Sequence, residues 1–189
     1  MTRIIAGVAG GRRLAVPPGT GTRPTSDRVR ESLFSRLESL GAVDGARVLD
    51  LYAGSGALGL EAVSRGAVSA VLVEADRRAA DVARRNARDL GLGGVRVVTD
   101  RAERYLAAAA GRGEVADLVL CDPPYALAGG ALTAVLAGIA RVLAPGGVVA
   151  VERSARAGEP GWPPGLSALD GRVTGETAVW LATAPIRSP

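Results

Sequence analysis

Apolar residues along the chain change rhythm several times, and each change marks an element. Val29, Leu33, Phe34, Leu37 and Leu40 recur at helical spacing, which predicts one amphipathic helix capped by Thr25 or Ser26 and stopped at Gly41. Beyond it, short apolar runs alternate with helical periodicity. The reading is strand Arg47–Tyr52, helix from about Ala57 to Arg65, strand Ala70–Glu74, helix Arg77–Leu90, strand Val95–Thr99, helix Arg101–Ala110, strand Asp117–Cys121, helix Leu132–Leu143 and strand Val148–Glu152. Five strands separated in this way imply βαβ crossovers and a parallel sheet. The tail differs: Leu166–Val173 and Thr177–Ala182 flank Thr174–Glu176, with Gly175 at the turn, so they can pair as a hairpin and add one antiparallel strand. The Pro/Gly-rich stretch 160–165 reads as a connector, with Trp162 covering the edge of the core. No internal repeat is visible.

At 189 residues, 48% of them hydrophobic, the chain is the size of one well-cored domain, expected over 26–189 behind a basic segment at 1–25. No apolar run reaches membrane-spanning length and the start lacks a signal pattern, so a cytoplasmic protein with no membrane partner is expected. One cysteine, Cys121, cannot build a disulfide framework. The absence of histidine excludes Ser-His-Asp hydrolysis and His-based zinc chemistry, and no metal is expected.

Charge is distributed unevenly. All 23 basic residues are arginine, which a coding bias explains most simply. Residues 1–30 hold Arg3, Arg12, Arg13, Arg23, Arg28 and Arg30 against Asp27, a local +5, while the whole chain carries only +4. A basic segment on a near-neutral body is the electrostatic footprint of a polyanion partner, the plain alternative being a solvated tail. Arg12, Arg13 and Arg23 are the candidates for phosphate contact. Arg28 and Arg30 have Asp27 and Glu31 near them and serve equally well as ion-pair partners.

Between the first strand of the alternation and its helix lies DLYAGSGALG, Asp50 to Gly59, with Glu74 placed 20 residues after Gly54. Gly54, Ser55 and Gly56 let a ligand approach the backbone, and Glu74 at the end of the next strand accepts hydrogen bonds from a ribose diol. That much fits a dinucleotide as well as any nucleoside ligand. Asp50 separates the two: a carboxylate there opposes a pyrophosphate and suits a ligand with ammonium and sulfonium charge, which describes S-adenosylmethionine. At the end of the third strand, the Asp100 carboxylate or a backbone N–H of Arg101 or Ala102 could meet an adenine edge, and the sequence does not choose between them.

The fourth strand ends in Asp122-Pro123-Pro124-Tyr125. An aryl amine is a poor nucleophile because its lone pair is delocalised into the ring. Two acceptors placed for its two N–H bonds let the nitrogen pyramidalise and aim that lone pair. The Asp122 side chain and the Pro123 carbonyl can be those acceptors, the paired prolines stiffen the turn, and Tyr125 offers a face for base stacking. Asp122 thus orients first and acts as a base second. A rival role for Cys121 as a nucleophile fails on strand alternation, which points it away from Asp122.

With these motifs the chain resembles the bacterial 16S ribosomal RNA guanine-N2 methyltransferases of the RsmD family. The likeness is carried by Arg3–Gly7 with Gly11–Leu14, by Arg23-Pro24-Thr25 with Asp27–Phe34, by Asp50–Gly66, and by Asp122–Tyr125. The resemblance implies a class I S-adenosylmethionine-dependent, Rossmann-like methyltransferase fold: an α/β, seven-stranded, mostly parallel sheet with an antiparallel C-terminal strand. It also implies methylation of one guanine N2 of 16S ribosomal RNA, presented in the small ribosomal subunit or an assembly intermediate; a monomer is expected. By that likeness Asp122, Pro123 and Tyr125 hold the guanine, and Asp50, Gly54, Ser55, Gly56 and Glu74 hold the cofactor. Two positions depart from the family pattern: Gly10 stands where relatives tend to be basic, and Arg101 precedes Ala102 where many methyltransferases carry an acid or amide. Rival readings are an amino-methyltransferase acting on adenine N6 of DNA or a protein glutamine, a nicotinamide-dependent oxidoreductase, and a non-catalytic RNA-binding module.

Overall fold

The alternation of strand and helix closes into one seven-stranded sheet. The computed structural model describes residues 2–17, 27–127 and 129–186. The expected cap residues Thr25 and Ser26, and the candidate Arg23, lie outside the described residues. A two-stranded ribbon, β1 (Thr2–Arg3) and β2 (Arg13–Leu14), comes first, followed by α1 (Asp27–Ser39). Then come β3 (Arg47–Leu51), α2 (Ala57–Ser64), β4 (Ser69–Glu74), α3 (Arg77–Leu90), β5 (Val95–Thr99), α4 (Ala102–Gly111) and β6 (Ala116–Cys121). The last elements are α5 (Gly130–Val142), β7 (Leu143–Ser154), a short 3-10 turn at Ala155–Ala157, β8 (Ser167–Thr174) and β9 (Thr177–Thr183).

Strand order in the large sheet is β5-β4-β3-β6-β7-β9-β8. The strands β3 to β7 run parallel, and β9 enters antiparallel between β7 and β8. The expected mostly parallel sheet with an antiparallel C-terminal strand is therefore present. The order reverses between β3 and β6, and the crevice at such a switch point is where open α/β sheets bind ligands.

Alternation along the strands sends side chains into two apolar layers. On one face, Val48, Leu72, Leu118, Leu120 and Ala150 pack with Phe34 and Leu37 of α1, Leu60 of α2 and Ala83 of α3. On the other, Leu49, Leu51, Val119, Cys121 and Val151 pack with Leu106 of α4 and Leu136 and Ile139 of α5, and Trp162 closes the edge of this second layer. Helices thus cover both faces, as a parallel sheet requires.

Two features exceed the sequence reading. β7 starts at Leu143, five residues before the expected Val148, because Leu143 already pairs with Ala116 across a register irregularity in β6. The basic segment, whose order the sequence leaves open, is held against the helices of the body by contacts that run from Ile5 to Ala15. Glu61 of α2 accepts the amide hydrogens of Ile5 (2.7 Å) and Ala6 (3.0 Å), and the Ser64 hydroxyl accepts that of Ala9 (2.9 Å). Gly7 allows this approach: it has φ +81°, and a Cβ there would lie 1.8 Å from the Ser64 carbonyl oxygen.

Candidate active site

A cleft of about 1070 Å³ opens at the carboxyl ends of the central strands, and the residues that wall it come from both sides of the switch point. On the β3–β4 side stand Asp50, Tyr52, Gly54, Ser55 and Glu74; on the β6 side stand Asp122, Pro123, Pro124 and Tyr125. The glycine loop and the proline turn, far apart along the chain, meet because β3 and β6 are direct neighbours, with Leu51 opposite Cys121.

Asp50 is 1% exposed. Its Oδ2 accepts the Gly59 amide hydrogen at 2.8 Å, which pins the start of α2 to the end of β3. Its Oδ1 has no hydrogen-bond partner among the described residues. Burial pushes the carboxyl pKa up to about 7 against the single amide bond that favours the charge, and Glu74 nearby adds to the rise. A desolvated, half-satisfied carboxylate facing a cleft calls for a cationic or N–H-bearing ligand group. Gly59 is obligatory for this contact, since a Cβ there would lie 2.2 Å from Leu72 Cδ2 and 3.0 Å from Asp50 Oδ2.

The loop itself is tightly braced. Glu74 accepts the Gly54 amide hydrogen at Oε2 and that of Asp76 at Oε1, each at 2.8 Å. Since each carboxylate oxygen has two acceptor sites, capacity for a diol remains. Gly56, at φ +83°, ends the loop and caps α2; it does not wall the cleft. Tyr52 has φ +61°, unusual for a non-glycine residue, and donates its hydroxyl to Glu103 Oε1 at 3.3 Å. Strained backbone of this kind concentrates at functional sites. Burial raises the Tyr52 pKa well above the ordinary phenol value.

At the end of β5, Asp100 donates its amide to the Glu74 carbonyl (3.1 Å), and its Oδ1 accepts the Arg101 amide hydrogen at 2.9 Å. Ala102 is buried at the start of α4. None of Asp100, Arg101 and Ala102 walls the cleft. On the acceptor side, the Asp122 N–H still reaches the Leu51 carbonyl at 3.5 Å, so the chain leaves the sheet only after Asp122. A turn follows, in which Leu127 donates to the Pro124 carbonyl at 2.8 Å. Tyr125 is 60% exposed, an aromatic face held in solvent at the cleft mouth. Cys121 is buried in the opposite apolar layer, and burial drives its thiol pKa far up.

The candidate arginines separate. Arg12 donates to the carbonyls of Leu90 (2.7 Å) and Asp89 at the C-terminus of α3, where a cation also meets the favourable end of the helix dipole. Arg13 is exposed on β2. Sequence reasoning missed several residues of the site. Asn86 of α3, 3% exposed, donates to the carbonyls of Ser55 (2.9 Å) and Ala15 (3.0 Å) and accepts from the Ala15 amide (2.9 Å), tying the basic segment to the glycine loop. Nothing in the sequence marks an asparagine within a helix for that duty. Arg30, Glu152, Ser154, Arg156 and Glu176 also wall the cleft. Of these, Glu152 carried a signal, as the last residue of the fifth expected strand. Among the described residues, no group of three or more acidic, cysteine or histidine side chains could hold a metal, and no helix is long and apolar enough to cross a membrane.

Comparison with known proteins agrees with this geometry. The family model described as "Conserved hypothetical protein 95" matches residues 2–183. Ribosomal RNA small subunit methyltransferase D of Escherichia coli K12 is 46% identical over 123 residues, which is 65% of this chain and 60% of that relative's length. The solved structure of a putative methyltransferase of Escherichia coli, yhhF, superposes with TM-score 0.85 at 37% identity, over 98% of this chain and 99% of that one. A hypothetical protein of Thermus thermophilus does so with TM-score 0.81 at 36% identity, over 96% and 98%.

Proposed function

We propose, from the premise that the chain belongs to the conserved hypothetical protein 95 family, in which its match to ribosomal RNA small subunit methyltransferase D places it among RsmD-type proteins, that it methylates the exocyclic N2 of a guanine in 16S ribosomal RNA with S-adenosylmethionine as donor. The acceptor is presented by the small ribosomal subunit or its assembly intermediate, and the protein works as a cytoplasmic monomer. The alignment covers only 60% of the methyltransferase D relative, so the activity rests on the site. The observation that carries it is the meeting, in one cleft, of a buried half-satisfied carboxylate and an Asp-Pro-Pro-Tyr turn.

The donor set fits the cofactor. Asp50 Oδ1, orphaned in a buried position, answers an ammonium group, and Glu74 retains acceptor sites for a ribose diol. Bound there, S-adenosylmethionine supplies a sulfonium-activated methyl group. The chain's own residues do the rest. Asp122 and the Pro123 carbonyl accept the two N–H bonds of the amine and turn its lone pair toward the cofactor side of the cleft. Tyr125 stacks on the base, which must be turned out of its helix or lie in a loop to arrive there. The proton released as the N–C bond forms goes to Asp122 or to water.

The test is transfer of a labelled methyl group by the full chain to small ribosomal subunits, naked ribosomal RNA, duplex DNA and release-factor protein. Label in small-subunit RNA is expected; label in DNA or protein alone would end this reading. Tight NADH binding without binding of S-adenosylmethionine would end it as well.

A further inference from the structure

The far wall of the cleft has no role so far. Beyond Asp122 it is built by Glu152 and Ser154 at the end of β7, by Arg156 in the turn that follows, by Glu176 just before β9 and by Arg30 of α1. Sheet order sets this wall opposite the cofactor loop: β3 and β4 lie on one side of β6, and β7 lies on the other.

Register places Glu152 beside Asp122. The parallel strands β6 and β7 match Leu120 with Ala150 and Cys121 with Val151, so one further step sets Asp122 opposite Glu152. Cys121 and Val151 point into the layer beneath α4 and α5, whereas Leu120 and Ala150 point into the layer beneath α1 and α2. Alternation therefore carries both carboxylates to the α1 side, on strands about 4.8 Å apart. Glu152 is only 8% exposed there. Both carboxylates wall the cleft, and a carboxylate oxygen that already accepts one hydrogen bond has capacity for another. An ionised carboxylate is acceptor-only, so the natural ligand for this pair is an edge rich in N–H groups.

Guanine has such an edge, because its N2 amine and its N1–H are adjacent. Adenine and 2-aminopurine have a lone pair at N1 instead. We infer that Glu152 selects the base: its carboxylate accepts the guanine N1–H while Asp122 and the Pro123 carbonyl hold the N2 amine. This rests on the methyl-transfer reading above and deepens it by naming what restricts the acceptor. A base with an acceptor at N1 would face a carboxylate with no hydrogen between them, which is rejection by opposed acceptors rather than by size.

The test compares kcat/KM for reconstituted small subunits carrying either guanine or 2-aminopurine at the acceptor position; the latter keeps the amine and lacks the N1 hydrogen. The wild type is expected to favour guanine by at least about tenfold. Glu152→Gln, whose amide can donate to a bare N1, is expected to bring the two within about threefold, and Glu152→Asp to keep the wild-type order. Equal slowing of both substrates in Glu152→Gln, with the ratio unchanged, would overturn the inference and leave Glu152 a structural acid. Thermal melting shows whether each variant folds. Should Glu152→Gln fail to fold, the wild type and Glu152→Ala decide: no discrimination by the wild type, or a guanine preference in Glu152→Ala equal to that of the wild type, overturns the inference, and loss of that preference in Glu152→Ala upholds it. Absence of any transfer to guanine by the wild type would remove the functional reading and this inference together, whereas transfer without discrimination removes this inference alone.

Discussion

Asp50 makes the cofactor side of the cleft sensitive to pH. Its pKa in the fold is about 7, against an ordinary 3.8, and burial is the main cause. A raised carboxyl pKa means that the folded chain holds a proton the unfolded chain has released, so this group's contribution favours folding below the ordinary value and is lost as pH climbs toward 7. A cationic ligand group reverses the preference by stabilising the ionised form. Affinity for S-adenosylmethionine is therefore expected to rise between about pH 5.5 and 7 and then level off, with a proton released on binding at the acid end. Titration calorimetry in two buffers of different ionisation heat reads that proton directly. Asp50→Asn is expected to bind at least about tenfold more weakly and to abolish the slope; a slope unchanged in that variant would assign the proton elsewhere. At the acceptor side, Asp122→Ala removes one of the two positioned acceptors, and a fall in kcat of about 10²–10³ with folding intact is expected from the usual cost of deleting such a group. Circular dichroism and single-turnover rates check both halves of that statement.

At the scale of elements, the parallel sheet and its hairpin tail were legible because buried strands and amphipathic helices differ in period, and the Gly175 turn announces the hairpin. The glycine loop and proline turn were legible because their residue types carry their chemistry locally. The docking of residues 2–17 was hidden because it depends on long-range partners: one acid in α2, one serine at its end and one asparagine in α3. A charged glutamate inside a helix reads as surface, yet Glu61 is wholly buried, with the amides of Ile5 and Ala6 and the guanidinium of Arg65 on its oxygens (Arg65 Nε at 2.7 Å) and Arg30 Nε 3.8 Å away. Asp27, at the exposed edge, also holds Arg30, at 3.0 Å, and Arg30 donates to the Arg3 carbonyl, so α1, α2 and the ribbon share one charge cluster centred on the buried Arg30 and Glu61. Glu61→Ala leaves two buried or nearly buried arginines short of a counter-charge and is expected to cost about 3–5 kcal/mol in chemical denaturation. A loss under about 1 kcal/mol would mean that the ribbon is not integral to the fold.

For the whole molecule, the structure redistributes the basic charge that the sequence concentrates in the first thirty residues. Arg12 is engaged with the end of α3, Arg3 pairs with Asp27 at 3.4 Å, and Arg30 is buried, while Arg13 stays exposed on β2. Arg13→Ala is accordingly expected to weaken RNA binding and to lower the slope of log affinity against log salt by about one, with unchanged stability. Arg12→Ala is expected to lower the melting temperature first. The reverse assignment in salt titrations and melts would show that the polyanion lies along the α3 side. One chemical claim spans the cleft as a whole, that the amine of a guanine meets an activated methyl between Asp50 and Asp122. Its most direct measurement is nucleoside analysis of small-subunit RNA after incubation with labelled S-adenosylmethionine and the wild type or Asp122→Ala. Label is expected in N2-methylguanosine with the wild type and almost none with the variant. Label in another nucleoside, or equal N2-methylguanosine from both proteins, would contradict it.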